Sequence, residues 1–126
     1  MTEARFPFAR VDPRTATRKF DVAPCVMLVA LAEAEAEVCA RVLKPLTAGR
    51  SVAIMRVVHI RAACERMLVT RPLVVVFAET LGPDDRKLLA ERAEDISAAI
   101  VTLSKNADEA DLRVRLFEAF QRAEQL

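Results

Sequence analysis

A chain of 126 residues with 53% hydrophobic content can bury one ordinary core, is too short for two comfortable domains, and is too apolar for wholesale disorder. Its 19 basic and 18 acidic residues are interspersed and leave a net charge of +1, which excludes the basic footprint of a dedicated nucleic-acid-binding domain. With no Trp or Tyr, the chain also lacks the aromatic platforms on which single strands stack.

Residues 1–23 are polar and interrupted by prolines, with apolar Phe6, Phe8, Val11, Phe20 and Val22 at irregular spacing. This stretch reads as an N-terminal extension. Its Arg5, Arg10, Arg14, Arg18 and Lys19 read as a solvated arm or as a docking arm for an acidic partner or phosphate. From residue 24 to residue 126 a regular rhythm sets in, which is read as one domain. Cys25 to Leu31 is a continuous apolar run of strand length, of the kind buried on both faces of a parallel sheet. Glu33 to Leu46 places Cys39, Val42, Leu43 and Leu46 at helical spacing; acids crowd its start, where the helix dipole favours them, and Pro45 and Gly49 mark its end. Val52 to Val58 reads as a second strand. Arg56 inside it implies a sheet edge or an acidic partner, because an unpaired charge on a central strand is costly.

Ile60, Ala63, Cys64, Met67 and Leu68 trace the inner stripe of a second helix that Pro72 stops. Leu73 to Ala78 is the strongest strand, uncharged and β-branched at its centre. Gly82-Pro83-Asp84-Asp85 opens a third helix with buried Leu88, Leu89, Ala93 and Ile96. Ala98 to Leu103 supplies a fourth strand. Asn106 and Glu109 have capping-box spacing, and Leu112, Leu116, Phe117 and Phe120 form the inner stripe of a last helix. Val114 and Leu126, beside that stripe, are candidates for a partner surface. Four strand-helix pairs with short loops predict a doubly wound, mostly parallel α/β sheet with helices on both faces.

In such sheets ligands gather at the carboxyl ends of the strands. The chemistry available there is Glu33, His59, Glu79, Thr80, Thr102, Ser104 and Lys105. No glycine-rich turn follows the first strand, and the chain has only two glycines, so neither a nucleotide cofactor nor any other is expected. His59 has no second His or Cys at ligand spacing, and no metal site or catalytic constellation is read from it. The cysteines have no CxxC spacing and lie among apolar neighbours, as reduced intracellular thiols do. The N-terminus resembles no secretory signal, and no apolar run approaches the roughly 20 residues that cross a bilayer. A cytoplasmic location without membrane insertion is the expectation.

The segment Ile60-Arg-Ala-Ala-Cys-Glu-Arg-Met-Leu68 followed by Arg71-Pro72-Leu-Val-Val-Val-Phe-Ala-Glu79 resembles the second helix and third strand of bacterial response-regulator receiver domains. The resemblance spans most of the domain and implies a flavodoxin-like fold. It also implies paired acids at the end of the first strand, holding Mg²⁺ beside a phospho-accepting Asp at the end of the third. Here Ala30 and Leu31 occupy the acidic positions, with Glu33 the first acid beyond. Counting from Pro72 makes Ala78 the counterpart of the acceptor, whereas counting back from Pro83 makes it Glu79, which is preferred; neither is an Asp. Thr102 or Ser104 could match the family's hydroxyl residue. Lys105 in Ser104-Lys105-Asn106 could match its lysine, in which case one strand-helix unit has been lost and about four strands remain.

The resemblance and its departures imply a pseudo-receiver: a phosphorylation-independent signalling adaptor, not an enzyme, that binds another signalling protein. A homo-oligomer stays open. The alternative is a small ligand-binding or enzymatic domain using Glu33, Glu79, Thr80 and His59.

Overall fold

The computed structural model describes residues 24–49, 52–105 and 108–124. The N-terminal extension, Asn106 and Leu126 lie outside the described residues. Over the described residues strand and helix alternate: β1 (Cys25–Val29), α1 (Glu33–Leu46), β2 (Ala53–Val57), α2 (Ile60–Thr70), β3 (Val74–Ala78), α3 (Pro83–Asp95), β4 (Ala99–Leu103) and α4 (Glu109–Glu124).

The four strands form one sheet of order β2-β1-β3-β4 in which every pairing is parallel. β1 and β3 are central and buried at all five positions, which is why both read as unbroken apolar runs. α1 and α4 cover one face, over Val26, Leu28, Val74, Val76 and Val101. α2 and α3 cover the other, over Met27, Val29, Val75 and Phe77. This is a flavodoxin-like, receiver-like α/β architecture with four strands, as the strand-helix rhythm predicts.

Several local expectations are corrected. β1 stops at Val29 because Ala30 turns into the left-handed region at φ 52°, outside the strand conformation. α1 runs through Pro45 to Leu46, and Thr47 caps it, its N–H and Oγ1 both donating to the Leu43 carbonyl. Pro45 has no N–H to give the Arg41 carbonyl, so the helix loses one backbone bond there and ends within the next residue. Leu68 and Phe117, expected on inner stripes, are 63% and 49% exposed; Met67 and Ala119 take the buried positions beside them. The rest of each expected stripe holds: Ala63 and Met67 in α2, and Leu112, Leu116 and Phe120 in α4, are buried. At the start of α4, Asp108 accepts the Asp111 N–H at 2.7 Å and supplies the cap.

Arg56 satisfies both halves of its expectation. β2 is an edge strand, and the guanidinium reaches across to Glu33, donating to both carboxylate oxygens at 3.2 and 3.3 Å. At the other edge, Ala99 N–H donates to the Leu73 carbonyl and the Leu103 carbonyl accepts from Glu79 N–H. Strand alternation therefore turns the backbone groups of Ile100 and Thr102 outward. Arg115 of α4 folds over that edge and donates to the Thr102 carbonyl at 2.7 Å. Its guanidinium protects part of an otherwise open strand.

Candidate functional site at the strand ends

The connections from β1 to β2 and from β2 back across β1 to β3 run on opposite faces of the sheet. A crevice therefore opens between the carboxyl ends of β1 and β3, where this topology reverses direction. It has a volume of about 410 Å³ and is lined by Ala30, Leu31, Ala32 and Glu35 after β1, Val58 after β2, and Ala78 at the end of β3 with Thr80 and Leu81 beyond it. Six of these eight side chains are apolar. Ala30 is held there by its N–H, which donates to the Val57 carbonyl at 2.8 Å, in a left-handed conformation that costs a non-glycine residue roughly 1–2 kcal/mol.

The residues singled out in sequence do not all meet. Thr80 and Ala78 line the crevice. Glu79 is exposed in the turn after β3, fixed through its backbone to Leu103, and is not among the lining residues. Glu33 is turned toward the β2 edge by Arg56, whose hydrogen bonds and charge hold its carboxyl below the usual glutamate range. Thr102 lies on the outer edge of β4 in the grip of Arg115. His59 is the exposed N-cap residue of α2 and makes no side-chain capping bond. Of the four groups that an enzymatic reading would need to converge, only Thr80 reaches the crevice.

Ser104 and Lys105 border a smaller cleft of about 110 Å³ with Val38, Leu103, Leu112 and Glu35. Glu35 is common to the two depressions, which the sequence reading missed. Its Oε1 accepts the Ala32 N–H at 2.9 Å, tying the first turn of α1 to the end of β1. The one available signal was its place three residues into the helix, where a carboxylate closes back on the N-cap; Ala32 in the cap position hid the motif.

Among the described residues, no group of three or more His, Cys, Asp or Glu side chains comes together that could hold a metal ion. A hard divalent cation takes six or more oxygens, and Glu35 is the one carboxylate lining the crevice. The thiols are also unsuited to nucleophilic work. Burial pushes Cys39 up to about 11, with the Glu35 charge adding to the effect, and burial likewise raises Cys25 and Cys64. A larger depression, of about 610 Å³, lies at the opposite end of the sheet beside Ala99 and Ile100, among Lys87, Glu91, Glu94 and Arg122. Among the described residues no further strand covers that part of β4, and the depression shares no residue with the strand-end crevice. No helix of the described residues is long and apolar enough to cross a membrane.

The fold is that of receiver domains. The structure is similar to the signal receiver domain of a Luxo repressor protein from Vibrio parahaemolyticus, with a TM-score of 0.62 and 16% sequence identity, over 82% of this chain and 95% of that one. No family model matches the sequence, and no curated protein does.

Proposed function

We propose that this chain is a pseudo-receiver: a signalling adaptor that works by binding another signalling protein, without phosphorylation of its own. One observation carries the reading. At the ends of β1 and β3, where receivers gather their acids and acceptor Asp, the crevice presents Ala30, Leu31 and Ala78, with Glu35 and Thr80 its only polar side chains. A side chain that ends in a methyl can neither accept a phosphoryl group nor coordinate Mg²⁺. Of the two candidates for the acceptor counterpart, Ala78 is favoured over Glu79, because it alone borders the crevice. With no acid at that position, no fixed charge mimics a phosphorylated Asp, and the domain's state is set by its partners. That partner is taken to be cytoplasmic, in keeping with cysteines that lie among apolar neighbours without CxxC spacing.

Lys105 and Ser104 keep the polar rim of the strand ends. They offer a hydrogen-bonding surface to a docked protein around an apolar centre, a distribution suited to recognition. Titration with Mg²⁺, followed by amide NMR of the full chain, tests the absence of a cation site. The resonances of residues 30–32 and 78–81 are expected to stay in place up to millimolar metal. Saturable shifts at both strand ends would overturn the reading.

A further inference from the structure

We propose that α4 is a self-association surface, pairing side by side and in parallel with α4 of a second copy of this chain. The inner face of α4 is spent on the domain, where Leu112, Leu116, Ala119 and Phe120 are buried. Its outer face is not merely polar. Ala110, Val114, Phe117 and Gln121 are all exposed and are spaced four, three and four residues apart, the a/d seam of a two-stranded coiled coil. Val114 and Phe117 at its centre are 55% and 49% exposed, large apolar groups that the monomer leaves in water. With Leu46 from the end of α1, they border a groove of about 390 Å³.

The flanking charges choose the occupant and its direction. Arg113 precedes Val114 and Glu118 follows Phe117, on opposite sides of the seam and five residues apart. That is the spacing at which a g residue of one helix meets an e residue of its parallel neighbour. A two-fold axis along the helices thus sets Arg113 against the partner's Glu118, and Glu118 against the partner's Arg113. An antiparallel pair would instead bring like beside like. Val114 at an a position favours two strands, and Gln121 at the next a position gives the seam one polar layer to fix its register. An isolated helix of this length would not hold together. Here the domain has already folded it, so association has only to bring two ordered faces together.

Sedimentation of the full chain over a roughly hundred-fold concentration range tests the proposal by mass action. Self-association is expected, with Phe117→Glu leaving a monomer of unchanged circular dichroism. Arg113→Glu and Glu118→Arg should each weaken the dimer roughly five- to tenfold by setting like charges together. The double variant carrying both should associate as the wild type does, a rescue that general damage to the helix cannot produce. Ala110→Cys should give an oxidised 110–110 cross-link. A chain that is monomeric throughout, a dimer indifferent to the two charge reversals, or cross-linking of Ala110→Cys to Gln121→Cys in place of itself would overturn it.

Discussion

Leu116→Ala is expected to lower the unfolding free energy by about 2–5 kcal/mol, the range for removing a buried leucine and leaving a cavity. Leu116 is fully buried where α4 packs on α1 and the sheet, and its truncation would open the core that includes Val74, Val101 and Phe120. In a domain of this size such a loss lowers the melting temperature by roughly 6–30 °C. Val114, two residues earlier on the same helix, points the other way and is 55% exposed. In dilute protein, Val114→Ala should change stability by about 0.5 kcal/mol or less. Denaturant unfolding of the two variants side by side therefore reads the rotation of α4 directly. Equal losses would mean that the helix does not present these faces.

The second large effect concerns the crevice. Ala78→Asp restores a carboxylate at the position that borders it, but the residue is only 5% exposed and no cation-binding acids accompany it. An uncompensated charge there should cost about 3 kcal/mol at neutral pH. The aspartate's pKa in the folded protein is then raised above its ordinary value of about 3.9, because burial disfavours the charged form. The penalty is accordingly complete above the raised folded value. It shrinks as pH falls through that value, and is gone below the unfolded one. Urea unfolding at neutral and acid pH would show the gap to wild type closing with acidification. A variant as stable as wild type at neutral pH, and further stabilised by Mg²⁺, would mean that the crevice holds a working cation site.

The sheet was legible in the sequence because β1 and β3 are buried on both faces and leave no polar alternation to confuse the reading. Arg56 was legible as an edge residue for the complementary reason, that a charge has nowhere else to go. Helix orientation was less so. In α2 and α4 apolar residues lie both on the inner face and just beside it, so the phase of each stripe is legible but its outer boundary is not. Leu68 and Phe117 were drawn inward by their size, whereas Ala119, small enough for close helix-sheet contact, lies inside.

The strand ends were the hardest part. Whether Ala78 or Glu79 borders the crevice depends on where β3 stops, a one-residue question that counting from two prolines answers in two ways. Glu33 looked like a site acid because it follows β1, and only the lateral position of β2 shows that Arg56 claims it. Glu35 was hidden because its role arises from the fold of one helical turn.

Intact-mass spectrometry of the full chain, after incubation with a small acyl-phosphate donor and Mg²⁺ beside an Asp-bearing receiver domain, tests the central claim most directly. An unmodified mass, with the control phosphorylated, is the predicted result. A labile phosphoryl adduct on this chain would contradict it and make the domain a phosphorylation switch.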